Sequence, residues 1–356
     1  MKIMFSVLCL SYGGAEKNLC VVANGLAARG HEVIICNLNH LPTVQTVDGR
    51  IKVFDVPRYT GKTKRLKQLS YMKKICKAER PQLLVSFGFF PNFLTAILGK
   101  AVRIPVIISE RADPNQHRDR IGRFAYRVFT AADGAVFQTD GAKACYCEKL
   151  QGKSRVIPNP VFLKDDSIFA DYEGCRKAIA FSGRFELKQK RQDIALEAFR
   201  IIHERHPEYV LDFYGDGPDE EAVKTYAAEL GLSDCVNFNG VSYQLLKEES
   251  TAEIFIITSD FEGIPNVLLE AMAIGLPCVS TDCSPGGARM LINDGENGLI
   301  VPCGDPEALA QAVCRMIGDR EFAVRCGRNA LAVRERFSMK NILDAWEEFC
   351  IEKAKK

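Results

Sequence analysis

Apolar, β-branched runs alternate with helical patterns along the whole chain, and the alternation pauses once, near residue 160, before starting again. In the first half the strand candidates are Lys2–Leu10, Glu32–Leu38, Leu83–Phe87, Pro105–Glu110 and Gly134–Thr139. Between them "AEKNLCVVANGLAARG", "KRLKQLSYMKKICKAE" and "IGRFAYRVFTAAD" fit helices. Strands that alternate with helices predict a parallel sheet covered on both faces. "RVIPNPV" (Arg155–Val161) reads as an extended, proline-punctuated stretch followed by a polar linker. The second half offers strands at Lys177–Ser182, Tyr209–Tyr214, Val236–Phe238, Ile254–Ser259, Pro277–Thr281 and Gly298–Val301. Its helices fall at about Arg191–His206, Asp219–Leu230, Pro265–Ile274 and Pro306–Gly318, with a closing helix from Ser338 to Lys353.

A chain of 356 residues exceeds one ordinary core. The expected fold is α/β: two Rossmann-like β/α/β domains, 1–165 and 166–337, facing each other with ligand between the C-terminal edges of their strands. The tail at about 338–356 can pack back on the first domain.

Composition narrows the classes. An apolar fraction of 47% with 26% charged residues fits a soluble globular protein. No apolar run nears the ~20 residues of a membrane span, and the best, Phe87 to Gly99, is broken by Pro91. "MKIMFSVLCL" lacks a small-residue cleavage site and reads as a buried first strand rather than a signal peptide. Fourteen cysteines without a CxxC pair suit a reducing cytoplasm, where Cys acts as a small hydrophobe. Net charge is +2, yet residues 1–165 hold 26 Lys/Arg against 12 Asp/Glu and the remainder 21 against 33. That asymmetry points the first half at something anionic.

Three stretches carry candidate chemistry. In "LSYGGAEK", Gly13 and Gly14 let a ligand approach the backbone at the start of a helix, although a plain strand-to-helix turn needs the same residues. No GxGxxG and no GxxxxGK[ST] occurs, so NAD and P-loop ATP chemistry lose their main sequence support. In "FSGRFELKQKRQD", Arg184 sits where a strand ends, with Lys188, Lys190 and Arg191 behind it; a guanidinium plus an ammonium suits a diphosphate. Lys188 and Arg191 read as a solvated basic loop. In "SDFEGIPNVLLEAMAIGLP", Pro265 suits the first helical position and Gly275-x-Pro277 ends the helix. Glu262 then lies in the loop where the helix aims its free N–H groups, and Glu270 lies one and a half turns inside a helix apolar nearly all round. A buried carboxylate needs a partner, either a structural Arg or Lys or the hydroxyls of a ligand such as a ribose diol.

"FEGIPNVLLEAMAIGLP" resembles the E-x7-E signature of glycosyltransferase family 4, the retaining GT-B enzymes; "SGRF…KQKRQD", "FYGDGP", "NGLIVP" and "YGGAEK" are similar to that family at matching places. The resemblance covers essentially the whole chain. It implies that Glu270 binds the donor's ribose hydroxyls and Glu262 the transferring sugar. Arg184 and Lys190 would hold the diphosphate, with Gly14 contacting it from the other domain. Ile264, Pro265 and Asn266 would offer the helix N-terminus, and Asn239, Gly240 and Val241 would flank the base. The Arg-to-Lys distance is one residue longer than the family's usual spacing, which selects Lys190 over Lys188. Many members carry a sugar-contacting His after the strand matching Pro105–Ser109; here "ISERADPNQH" puts Glu110 or Arg111 there, near Gly13 on the acceptor side, and His117 lies too far along.

The implied function is a retaining, metal-independent transfer of a hexose or N-acetylhexosamine from a nucleotide sugar, UDP-sugar favoured over GDP-sugar. The acceptor would be a glycan or a polyprenyl-diphosphate-linked glycan in bacterial polysaccharide synthesis. No two aspartates are separated by a single residue, so no DxD metal motif exists. A departing nucleoside diphosphate would then be stabilised by Arg184, Lys190 and a helix N-terminus. No nucleic-acid partner is expected. "RYTGKTKRLKQLSYMKKICKAER" (Arg58–Arg80) has nine Lys/Arg against one acid, with Leu66, Leu69, Met72, Ile75 and Cys76 at helical spacing. Such a helix packs its apolar stripe on the sheet and turns a basic face to anionic lipid, which would place the protein in the cytoplasm, peripheral on the inner membrane face. The competing readings are a nucleotide-sugar epimerase of the same fold, a glycosidase with paired carboxylates, and a non-catalytic sugar-nucleotide-binding protein.

Overall fold

The structure is a computed structural model that describes residues 1–11, 13–39, 41 and 45–355. Tyr12 of the "YGGAEK" motif and Lys356 at the end of the tail lie outside the described residues. The chain divides into two units, one built from Met1–Pro160 plus the stretch from Met339 onward, the other from Val161–Ser338.

Unit 1 runs β1 (Lys2–Val7), α1 (Gly14–Ala28), β2 (Glu32–Asn37), β3 (Lys52–Asp55), α2 (Lys64–Glu79), β4 (Leu83–Phe87), α3 (Phe89–Val102), β5 (Val106–Ser109), α4 (Arg120–Phe129), β6 (Gly134–Phe137), α5 (Asp140–Ala144), α6 (Glu148–Gln151) and β7 (Ser154–Val156). Its sheet is wholly parallel, in the order β3-β2-β1-β4-β5-β6-β7. The central strands are buried almost end to end because helices cover both faces. One face is closed by the helix Met339–Ala354, whose Ile342, Trp346, Phe349 and Cys350 pack with Ile3, Phe5, Val85 and Phe87. Trp346 stacks on Phe87 at 5.3 Å between centroids. Arg29 and His31 bond Glu347 at 2.7 and 2.8 Å and hold the same helix from α1's end.

Unit 2 repeats the plan: β8 (Arg176–Ser182), α7 (Leu187–Lys190), α8 (Gln192–Arg205), β9 (Val210–Tyr214), α9 (Glu220–Glu229), β10 (Val236–Phe238), α10 (Leu245–Glu249), β11 (Ala252–Ile257), α11 (Asn266–Ala273), β12 (Cys278–Thr281), α12 (Gly287–Leu291), β13 (Leu299–Val301), α13 (Pro306–Gly318), α14 (Arg320–Ala330) and α15 (Val333–Arg336). The parallel order is β10-β9-β8-β11-β12-β13. The helix from Met339 is α16. In both sheets the order reverses beside the first strand of its unit, between β1 and β4 and between β8 and β11. Ligands of open α/β sheets sit at the C-terminal edge of such switch points.

Several sequence expectations are corrected. The edge strand β3 was not anticipated: its pattern is mostly exposed, since an edge strand keeps few buried positions. Helix α11 starts one residue later than expected, and Pro265 is its N-cap in extended geometry rather than its first helical residue. On α2 the buried positions are Gln68, Met72, Ile75 and Cys76, whereas Leu66, read as part of the buried stripe, is 69% exposed.

Candidate functional site

In unit 2 the two loops beside the switch point are tied together by backbone and side chain. Gly183 leaves β8, and Arg184 follows, exposed; its carbonyl accepts from Gln192 Nε2 at 2.9 Å, while its guanidinium has no hydrogen bond or ion pair among the described residues. Behind it the chain turns into the single-turn α7 and then α8, with Arg191 between them in the left-handed region at φ 51°. Thr258, just past β11, donates its hydroxyl to the carbonyls of Lys190 and Arg191 at 2.7 and 2.8 Å. Asp260 N–H donates to Gln189 O at 2.9 Å, and Gln189 Nε2 donates to Phe261 O at 3.1 Å.

This stitching delivers Lys190 to Glu262. The Lys190 Nζ lies 2.5 Å from Glu262 Oε1, and Ser259 Oγ donates to the same oxygen at 2.9 Å. Glu262 is 9% exposed and its own N–H donates to Ser284 O at 2.7 Å. Its carboxylate is therefore bonded to Lys190 and Ser259, where the sequence suggested the free N–H groups of the following helix. Arg191, expected to be a solvated loop residue, instead bridges Asp193 and Asp260 at 2.9 and 3.0 Å. Lys188 is exposed, as a solvated lysine would be.

"FYGDGP" is the wall behind Arg184. Phe185 N–H donates to Asp216 O at 2.9 Å, and Leu187 N–H to Asp219 Oδ2 at 2.8 Å. A Cβ on Gly215, which adopts φ +132°, would fall 2.1 Å from Gly183 O, so no other residue fits there. Gly215 N–H donates to Gly240 O at 2.8 Å, which hangs the Asn239-Gly240-Val241 loop beside the same edge with Val241 exposed.

Helix α11 rises from buried Ile264 and Pro265. Glu270 is a correction: it is only partly buried, and shares an open stripe with Asn266 and Val267 while Leu268, Leu269, Ala271, Met272 and Ala273 are buried. The helix is apolar, but one side of it is uncovered. The buried acid here is another residue. Glu249, at the end of α10, is 1% exposed; burial pushes its carboxyl up to about 8, with the Glu270 charge adding to the rise. Glu249 Oε1 and Ser182 Oγ are buried without a hydrogen-bond partner. Sequence reasoning missed Glu249 because it sits in the charged run "KEE", which reads as a solvated face.

In unit 1 the residues expected near the acceptor are distributed differently. Gly13 caps α1 and is exposed with Gly14; Glu16 Oε2 lies 2.1 Å from where a Gly13 Cβ would be, and burial raises that carboxyl's pKa. Glu110 is buried and bonded internally: it accepts from Tyr146 OH at 3.0 Å and from the N–H groups of Arg111 and Ala112. Arg111 lies over the Phe87 ring. His117 stacks on Phe89 at 4.2 Å. Among the described residues no cluster of three His, Cys, Asp or Glu side chains is placed to hold a metal ion.

Comparison with known proteins decides the family. The model described as Glycosyltransferase Family 4 matches residues 12–164, and that described as Glycosyl transferases group 1 matches residues 171–333. The chain belongs to the family 4 glycosyltransferases. The glycosyltransferase is 27% identical to an uncharacterized glycosyltransferase of Haemophilus influenzae, over 97% of this chain and 99% of that one. It is 25% identical, over 97% of both chains, to the Campylobacter jejuni enzyme named GalNAc-α-(1→4)-GalNAc-α-(1→3)-diNAcBac-PP-undecaprenol α-1,4-N-acetyl-D-galactosaminyltransferase. Among solved structures, Anabaena HepE in complex with UDP and glucose superposes with a TM-score of 0.81 at 19% identity, covering 98% of each chain. The apo lipopolysaccharide outer core galactosyltransferase WaaB gives 0.78 at 20% identity, over 99% of this chain and 100% of that one. Two parallel sheets with alternating helices, so matched, are the GT-B fold. A Rhizobium meliloti relative, 26% identical over 94% of both chains, is named the lipopolysaccharide core biosynthesis glycosyltransferase LpsE.

Proposed function

We propose that this glycosyltransferase moves a hexosyl or N-acetylhexosaminyl group, with retention, from a UDP-sugar to a lipid-linked glycan, without a metal. The observation that carries the reading is the edge of the unit 2 sheet. An exposed guanidinium without a partner among the described residues, that of Arg184, stands there beside a closed Lys190–Glu262 pair and the start of α11. A leaving diphosphate gains charge as the sugar departs, and Arg184 and Lys190 are the groups to meet it. Glu262 would orient the transferring sugar's hydroxyls. Glu270, on the open stripe of α11, would take the ribose diol, and the Gly240–Val241 loop would lie along the base. The acceptor hydroxyl would attack on the face the diphosphate leaves, giving its proton to the departing phosphate. UDP in the HepE complex supports the base, and the undecaprenol-linked acceptor of the Campylobacter relative supports the acceptor class.

The membrane part of this reading rests on unit 1. Leu66 on α2, Phe90 on α3, and Ile121 and Phe124 on α4 are all exposed, the last two at 68% and 59%. Arg65 stacks on Phe90, and the exposed Arg118, Arg120 and Arg123 flank the α4 pair in sequence. Basic groups around exposed apolar side chains suit an anionic bilayer surface. No helix among the described residues is long and apolar enough to cross a membrane.

A thermal-shift panel of UDP, GDP, ADP and their sugars tests the donor: stabilisation by UDP species alone is expected, since a ligand at 100 times its Kd adds ~2.7 kcal/mol. Preference for GDP or ADP, free sugar release, or epimerised UDP-sugar without an acceptor would overturn the reading. Binding to vesicles should need anionic lipid and weaken with salt; equal binding to neutral vesicles would remove the membrane part.

A further inference from the structure

Along the C-terminal edge of the unit 1 sheet, four adjacent strand ends converge on one guanidinium. β4 ends in Phe87, β5 leads into Glu110 and Arg111, β6 leads into Gln138, and the chain beyond β7 supplies Asn159. The Arg111 guanidinium carbon lies 4.4 Å from the Phe87 ring centroid and 5.4 Å from that of Trp346. Its Nη1 donates to Asn159 Oδ1 at 3.1 Å, and that oxygen also accepts from Gln138 Nε2 at 2.7 Å. Two rings and one hydrogen bond thus hold one edge of the group.

The other edge of the guanidinium has no partner. Among the described residues Nε and Nη2 are shielded from water and donate to no partner, and Gln138 Oε1, on a buried side chain, is also unpartnered. Arg111 forms no ion pair among the described residues, because the Glu110 carboxylate is turned to Tyr146 and to its own loop. Other shielded cations are better satisfied: Lys190, Arg29, Arg191 and Lys353 each have a carboxylate within 4.0 Å, and Lys153 and Arg334 donate to backbone carbonyls. Burial pulls the Arg111 pKa down to about 9, and the Glu110 charge offsets only part of the fall. A desolvated cation without a counterion is costly, and a bound anion removes that cost.

Nε and Nη2 together form the side-on fork that two oxygens of a carboxylate or phosphate bridge. We propose that Arg111 is a receptor for an oxyanion carried by a substrate, a phosphate or a sugar carboxylate, that docks at the strand-end edge of unit 1. The residue as a whole is only partly buried, so a side-chain shift opens the fork. Only the choice of candidate substrates rests on the transferase reading; the unpartnered fork stands without it.

Calorimetric titration of the full chain against UDP, UDP-glucose, UDP-glucuronic acid and farnesyl diphosphate tests the proposal, comparing wild type with Arg111→Met and Arg111→Lys. At least one probe should bind tenfold or more weakly to the Met variant. A loss for farnesyl diphosphate alone assigns the oxyanion to a lipid-linked acceptor. A loss for UDP-glucuronic acid beyond UDP-glucose assigns it to an acidic sugar, and an equal loss for every UDP species assigns it to the leaving diphosphate. Affinities within twofold for all four probes would overturn the receptor, as would wild-type protein that binds none of them. A purely structural arginine would lower Tm and leave every Kd in place. Where the Met variant does not fold, the Lys variant keeps the charge, loses the fork and is expected to show the same loss. Failure of the transferase reading is separate: it appears as wild-type protein that does not bind UDP.

Discussion

In unit 2, Lys190 and Glu262 are 72 residues apart in sequence and meet at 2.5 Å; in unit 1, Glu110 and Arg111 are neighbours in sequence and form no ion pair. Backbone geometry explains the contrast. Successive residues leaving a strand point to opposite faces, so Glu110 turns to Tyr146 on one side of the sheet and Arg111 to Phe87 and Trp346 on the other. Loops that leave two adjacent strands instead face each other, as those after β8 and β11 do. At these strand ends, then, opposite charges pair across the switch point and not along the chain, and a charge left over beside a strand end is a place to look for a ligand.

Four substitutions probe this contrast. Lys190→Ala should have the largest effect, because it leaves Glu262 buried without its counterion; about 3–5 kcal/mol of stability is expected to be lost, read by urea unfolding. Loss of transfer with unchanged stability would show that the pair is open in solution. Glu249→Gln comes next. The Glu249 carboxyl is raised to about 8 in the folded protein from an ordinary 4.5, so the native state holds a proton that the unfolded chain releases, and stability falls as pH climbs from about 4.5 to 8. The Gln variant should therefore be more stable than wild type by on the order of 4 kcal/mol at pH 8, with no difference at pH 4. Parallel melting curves across that range would refute a buried neutral acid.

Arg184→Ala should leave Tm within a degree or so, since the guanidinium has no protein partner to lose. It should still weaken UDP binding by about tenfold, equivalent to ~1.4 kcal/mol, a charge-assisted bond's worth. Unaltered affinity in calorimetry would move the diphosphate elsewhere. Lys188→Ala is the smallest, within about 0.5 kcal/mol in stability and without effect on nucleotide affinity; an effect as large as that of Arg184→Ala would reverse the choice between them.

The sequence was most informative where periodicity reports burial. The central strands and the long helices α1, α2, α8, α13 and α16 stand within a few residues of their expected bounds, because apolar spacing is set by the covered faces. Edge strand β3 and the short helices α10 and α12 were missed, since few of their residues are fully covered or their runs are too short to show a period; the longer α3 and α14 were missed too, α3 because its apolar run was weighed only as a membrane span broken by Pro91. Within the site, Arg184, Glu262 and Glu270 were legible as residues of interest, yet their surroundings were not. The Lys190–Glu262 contact needs two loops to be stitched by Thr258 and Asp260, which no local spacing encodes. Glu270 was read as buried because α11 is rich in apolar residues; composition does not say which side of a helix the fold leaves uncovered.

The helix that closes one face of unit 1 begins at Met339, after all of unit 2 has been made. On the ribosome the order of completion is thus inverted: the second unit holds all its parts first, while Phe5, Val85 and Phe87 wait for Trp346 and Phe349. A nascent chain halted before Met339 should present a folded unit 2 beside an unsealed unit 1. That apolar face is where a chaperone would be needed, for as long as the intervening residues take to translate.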